Sequence, residues 1–155
     1  KKNLGEFTKN EEMEFINRDL YTYRIRPFID AGVIKVLTGQ RRVGKSYILF
    51  QLMSEIKKGN PNVNVIYINK EEEEFRAIRT DDDLNAYVQQ KLVQSSKNYL
   101  FIDEVQDIEH FENSLRSLQA KGQCDIFITG SNAKCCRVNF PPICQDVMLN
   151  LEYTA

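Results

Sequence analysis

Eight consecutive residues, Gly39-Gln40-Arg41-Arg42-Val43-Gly44-Lys45-Ser46, match the phosphate-binding pattern G-x-x-x-x-G-K-[ST]. Each fixed residue type has a physical task. Gly39 and Gly44 let the backbone turn tightly and bring its N–H groups up to phosphate oxygens. Lys45 can reach the β- and γ-phosphates, and the Ser46 hydroxyl can bind Mg²⁺. A helix beginning at Lys45 adds the partial positive charge of its N-terminus at the same place. The candidate nucleotide contacts are therefore Gly39, Gln40, Arg41, Arg42, Val43, Gly44, Lys45, Ser46 and Tyr47, with Ser46 also a candidate metal ligand.

A second group is Tyr99-Leu100-Phe101-Ile102-Asp103-Glu104. An apolar strand here delivers two carboxylates at its C-terminal end, where open α/β sheets bind ligands. Asp103 is the second candidate for Mg²⁺, and Glu104 the candidate that orients or deprotonates a water attacking the γ-phosphate. A third group closes a strand-like run, the chain's fourth: Cys124–Thr129 ends in Gly130-Ser131-Asn132. Ser131 and Asn132 are the candidates for a polar side chain beside the γ-phosphate; the other reading of them is an ordinary turn. The catalytic set expected is Glu104, Lys45, Ser131 and Asn132.

Other clusters carry less. Glu71 to Glu74 read as a solvated loop, because four adjacent carboxylates do not converge on one point. Cys124, Cys135, Cys136 and Cys144 contain no C-x-x-C pair, and His110 is the one histidine. That pattern suits neither a zinc site nor a secreted disulfide framework, and a reducing cytoplasm is the default.

The elements that must hold these residues follow from periodicity. Val33–Thr38 reads as a short buried strand and Lys45–Lys58 as a helix with Ile48, Leu49, Leu52, Met53 and Ile56 at helical spacing, stopped by Gly59-Asn60-Pro61. Val63–Asn69 reads as a second strand. Thr80 with Asp83 is an N-cap signature for a helix carrying Leu84, Tyr87, Val88 and Leu92. Ile108, Phe111, Leu115 and Leu118 mark another helix. Upstream, a helical pattern from Glu11 to about Ile29 puts Phe15, Ile16, Leu20 and Tyr23 on one side, with Pro27 interrupting it. Arg18, Arg24 and Arg26 read as solvated charges; the other reading is that this segment flanks the nucleotide's base. Strand and helix alternate, so the fold class expected is α/β: three layers, with a parallel sheet covered on both faces.

At 155 residues the chain is one domain's worth. Its formal net charge of −1 gives no sign of a nucleic-acid or membrane surface. No apolar run approaches transmembrane length, and there is no signal-peptide pattern. The opening Lys1-Lys2, without a methionine, reads as a trimmed or fragmentary product.

On Leu37–Ser46, Phe101-Ile102-Asp103-Glu104-Val105-Gln106-Asp107 and Ile128-Thr129-Gly130-Ser131-Asn132, the chain resembles the additional-strand class of P-loop ATPases in the AAA superfamily. Within it, the likeness is to bacterial and archaeal predicted ATPases whose domain is followed by a C-terminal region of unknown function. It covers about residues 11 to 134. It implies strand order 5-1-4-3-2, ATP and Mg²⁺ as ligands, and hydrolysis rather than phosphate transfer to a metabolite. The Arg41-Arg42 pair is typical of the group and suits phosphate contact, a partner surface or solvent alike.

After Lys134 the texture changes. Residues 135–144 hold three of the four cysteines and two of the four prolines, with no helix or strand period, where the family continues with a helix and a fifth strand. The division expected is an ATPase core over 1–134 and an aberrant or truncated tail over 135–155. One account is a shifted reading frame: restoring one T after the Lys134 codon allows residues 135–151 to read LLSSELSTYLSGRYVEF, with the first base of each codon free and the middle base largely set by the observed residue; the other account is a genuine divergent tail. Lacking a fifth strand, the first strand would be a bare sheet edge, and the chain would bind ATP·Mg²⁺ but turn it over poorly. The competing functions are a nucleotide-binding switch without hydrolysis and a P-loop kinase. The partners expected are ATP and ADP, with no membrane, an oligomer allowed, a cytoplasmic setting, and a downstream protein or nucleic-acid target left open.

Overall fold

The computed structural model describes residues 19–39, 44–131 and 149–151. Gln40, Arg41, Arg42, Val43 and Asn132 lie outside the described residues, as do residues 1–18 and 133–148.

The elements in chain order are helix α1 (Asp19–Ile25), strand β1 (Lys35–Gly39), helix α2 (Lys45–Gly59), strand β2 (Asn64–Asn69), helix α3 (Asp81–Lys91), strand β3 (Asn98–Asp103), helix α4 (Phe111–Ala120), strand β4 (Asp125–Gly130) and strand β5 (Leu149–Leu151). The sheet order is β2-β3-β4-β1-β5 and every pairing is parallel. This is the order expected of the additional-strand class. The strand that carries Asp103 is separated from the strand that leads into the phosphate-binding loop by one further strand, β4.

The expectation that the fifth strand is missing is corrected. Leu149–Leu151 pairs in parallel with Leu37–Gly39. An exposed β1 would leave a row of backbone N–H and C=O groups unpaired, and three residues of tail satisfy that edge over the half of β1 nearest the loop. Residues 135–144 carry no strand period, and the pairing segment is the short run beyond them.

Two-residue alternation in the strands divides the core in two. Ile66, Ile68, Leu100, Ile102, Ile126 and Ile128 face α3 and α4, which bring Leu84, Val88, Leu115 and Leu118. Leu37, Tyr99, Phe101 and Phe127 face α2, which brings Ile48, Leu49, Leu52 and Met53. Phe101 and Phe127 stack with centroids 4.4 Å apart across β3 and β4. The result is the expected three-layer α/β arrangement with helices on both faces. Among the described residues no helix is long and apolar enough to cross a membrane.

Two details depart from the sequence reading. α1 buries Thr22 and Ile25, while Leu20 and Tyr23 are 67% and 68% exposed. Its orientation is fixed instead by polar links to α2: Arg26 grips Glu55 with Nε and Nη2 at 2.9 and 2.8 Å, and Gln51 donates to Asp19 at 2.6 Å. α4 begins at Phe111, not near Ile108, because His110 takes a left-handed conformation (φ 55°) and the Glu109 N–H is spent on the Arg79 carbonyl, 2.8 Å away. α3 starts as its cap signature predicts, with Thr80 and Asp83 bonding each other's backbone N–H.

Candidate functional site

The site lies at the C-terminal edge of the sheet, where β1 and β3 end and α2 begins. Gly44 sits at φ 91°, ψ 28°, a left-handed conformation that a residue with a Cβ adopts only at a cost. From that turn Lys45 opens α2 and Ser46 follows. Both side chains point into the molecule rather than away: Lys45 is 4% exposed, and its Nζ donates to the Gly39 carbonyl at 3.0 Å. The lysine is thus held across the loop mouth by the last residue of β1.

Asp103 ends β3 and is buried. Its Oδ2 accepts the Ser46 hydroxyl, and its Oδ1 accepts the Thr129 hydroxyl from β4. Thr129 Oγ1 in turn accepts the Glu104 backbone N–H at 3.0 Å. Alternation explains the meeting. Phe101 pairs with Phe127, so Asp103 and Thr129, each two residues on, come up on the same face of adjacent strands. Glu104 then leaves the strand in a left-handed conformation (φ 59°, ψ 52°) and caps the short 3₁₀ turn Val105–Asp107. Gln106, on that turn, donates its Nε2 to Glu104 Oε2.

An open cleft of about 620 Å³ joins these groups; Gly44, Lys45, Ser46, Tyr47, Glu71, Glu104 and Asp107 line it. The structure therefore brings Lys45, Ser46, Tyr47 and Glu104 to one cleft, with Gly39 and Asp103 bonded beneath it. Ser131 follows β4, half-buried, and is not among the lining residues. The strand-end polar group that links the acidic pair is Thr129, bonded to the Asp103 carboxylate and to the Glu104 backbone N–H. Its signal in the sequence was a hydroxyl on the Phe127 face, one alternation before the strand end.

Glu71 and Asp107 were also missed. Glu72, Glu73 and Glu74 are exposed, in keeping with a solvated run, but Glu71 reaches the cleft. Lys70 folds that loop back, donating Nζ to the Phe75 and Ile78 carbonyls at 2.6 and 2.5 Å, and burial holds its pKa below the usual lysine range.

The donor set suits Mg²⁺. Among the described residues no three His, Cys, Asp or Glu side chains form a protein metal cage. A buried carboxylate bonded to a serine hydroxyl at the foot of a phosphate-binding loop is instead the small oxygen set that Mg²⁺ uses together with substrate phosphates. A buried hydroxyl without a hydrogen-bond partner, Tyr67 Oη, lies beside Asp103 and is a further polar group such an ion could serve.

The family described as AAA domain matches residues 32–142. The chain belongs to that family. The match excludes α1 and runs past Lys134. This AAA domain is 35% identical over 120 residues to an uncharacterized protein of Haemophilus influenzae, covering 76% of this chain and 30% of that one. It is 37% identical over 125 residues to the uncharacterized protein MJ1544 of Methanocaldococcus jannaschii, covering 80% and 26%. The chain thus spans less than a third of these curated relatives. Among solved structures it is similar to the Aeropyrum pernix ORC1 protein in complex with DNA (TM-score 0.57, 13% identity, 88% of this chain and 46% of that one). It is also similar to the Aeropyrum pernix ORC2 protein in ADPNP-ADP complexes (TM-score 0.51, 16% identity, 95% and 49%). At such identities these likenesses carry the fold, that of an AAA-type P-loop ATPase domain.

Proposed function

We propose that this AAA domain binds ATP with Mg²⁺ and hydrolyses the γ-phosphate, acting as the motor or switch of a longer protein. The observation that carries the reading is the Ser46–Asp103 hydrogen bond, with Lys45 and Glu104 opening on the same cleft. The backbone of the Gly39–Ser46 loop and the α2 N-terminus would cradle the phosphates. Lys45 would exchange the Gly39 carbonyl for a phosphate oxygen. Ser46 and Asp103 would hold Mg²⁺, whose chemistry is to neutralise charge building on the phosphate oxygens. Glu104 would accept the proton of the attacking water, with its backbone fixed by Thr129. Ser131 and Asn132 stay candidates for contact with the γ-phosphate.

The module reading rests on length, since the two curated relatives are each more than three times as long as the matched region. A cytoplasmic setting accords with an ATP requirement and with the absence of a disulfide pattern. Nucleotide binding without hydrolysis is the second reading. It draws on the Glu104 carboxylate already accepting from Gln106.

Calorimetric titration with ATP·Mg²⁺ and with a non-hydrolysable analogue tests binding, with Lys45→Ala as the control expected to abolish it. Phosphate release by the wild type and by Glu104→Gln tests hydrolysis: binding kept and release lost in the variant supports the first reading. No binding heat from the wild type would sink both.

A further inference from the structure

Few buried polar atoms in the described residues lack a hydrogen-bond partner, and Tyr67 Oη is one of them. Buried hydroxyls are almost always bonded, so an exception asks for a cause. Tyr67 stands on β2, and register places it. It pairs with Phe101, and Asn69 two residues on pairs with Asp103. The tyrosine therefore rises on the sheet face that carries Phe101 and Asp103, beneath α2. Its ring packs tilted against Phe50 of α2, with centroids 5.3 Å apart. The ring is thus held by aromatic packing, and the hydroxyl at its tip lies within the field of the Asp103 carboxylate.

Both oxygens of Asp103 already accept a hydroxyl, from Ser46 and from Thr129. In the free chain the third hydroxyl approaches the Asp103 carboxylate without reaching hydrogen-bond geometry. A phenylalanine would keep the same packing and avoid the desolvation of an unpaired polar group.

We propose that Tyr67 is a positioning residue for the Mg²⁺–nucleotide complex: its hydroxyl gains a partner only when a hydrated cation occupies the Ser46–Asp103 site. Tyr67 therefore contributes to cation affinity and not to the stability of the free fold. This rests on the reading of Ser46 and Asp103 as the Mg²⁺ site. Groups that orient metal ligands from outside the coordination shell commonly change affinity about tenfold or more when removed.

The test is Tyr67→Phe in the full 155-residue chain. Without ligand, its thermal midpoint should equal or exceed that of the wild type. Nucleotide affinity in EDTA should be unchanged. The Mg²⁺ concentration that half-maximally tightens ADP binding, followed by calorimetry, should rise about tenfold. A lowered midpoint with an unchanged Mg²⁺ requirement would overturn the proposal, because the hydroxyl would then serve the free fold. A wild-type chain that binds nucleotide with no dependence on Mg²⁺ would instead remove the metal-site reading beneath it. Tyr67→Leu, which loses the ring as well, should lower the midpoint and so report the packing separately.

Discussion

Gln106 donates its side-chain amide to the carboxylate of Glu104, two residues earlier across a left-handed turn. The backbone of Glu104 is held independently by Thr129. A glutamate tethered at Oε2 and at its backbone N–H has little freedom left, and Oε1 is the oxygen available to a water. Gln106→Ala should therefore lower single-turnover phosphate release about tenfold, less than the roughly hundredfold or more that a general base itself contributes, and leave analogue affinity within about twofold. Faster release in the variant would mean that Gln106 restrains Glu104, and would favour the switch reading.

Thr129 joins the Asp103 carboxylate to the backbone of Glu104. It is fully buried, with one hydroxyl donating to Asp103 and accepting from the Glu104 N–H. Thr129→Val keeps the shape, removes the hydroxyl and leaves a buried N–H without an acceptor. The expected cost is about 1–3 kcal/mol in urea denaturation, together with a raised Mg²⁺ requirement for nucleotide binding. A variant as stable as the wild type would show that water replaces the hydroxyl.

The phosphate loop and the Asp103-Glu104 pair were legible because their chemistry is local: two glycines, a lysine and a serine at fixed spacing, and an apolar strand ending in acids. The sheet order came with the family resemblance. Thr129, Tyr67 and Gln106 were not legible, since their roles depend on which strands lie side by side and on the face each side chain takes. Reading past the end of β4 to Ser131 and Asn132 missed the residue one alternation earlier. The α1 face failed for a related reason. Leu20 and Tyr23 look like a core stripe, yet the helix is docked through Arg26 and Asp19 onto α2.

Cys124 gives a pH-dependent prediction. Its thiol is free, and burial, aided by the Asp125 charge, raises its pKa from 9.0 to about 12. Between those values the unfolded chain releases the proton and the native chain keeps it. The native state then binds more protons, and stability falls as pH rises. Below 9.0 the thiol is protonated in both states and contributes no slope. Cys124→Ala should flatten part of the loss of stability measured by urea denaturation between pH 9 and pH 11. An identical slope in the variant would mean that the thiol is exposed in solution.

The last prediction concerns Lys35, an ionisable residue at the start of a core strand. Its Nζ is wholly buried, pairs with Asp125 on β4 and lies 4.2 Å above the Phe127 ring. Burial lowers its pKa, and the attraction of Asp125 works against that. Asp125 also accepts the Asp30 N–H at 3.0 Å, so it ties the turn before β1 to the start of β4. Removing one member of such a pair leaves the other charge buried and uncompensated, which typically costs about 3–5 kcal/mol. Asp125→Ala should show a loss of that size in urea denaturation at pH 7. Lys35→Met should cost less, because methionine keeps the apolar stem over Phe127 and Asp125 retains the Asp30 N–H. Nucleotide affinity should survive in Lys35→Met, since the pair lies at the opposite end of the strands from Lys45 and Asp103. Equal losses in the two variants would show that the pair acts as one unit, with the Asp30 contact adding nothing.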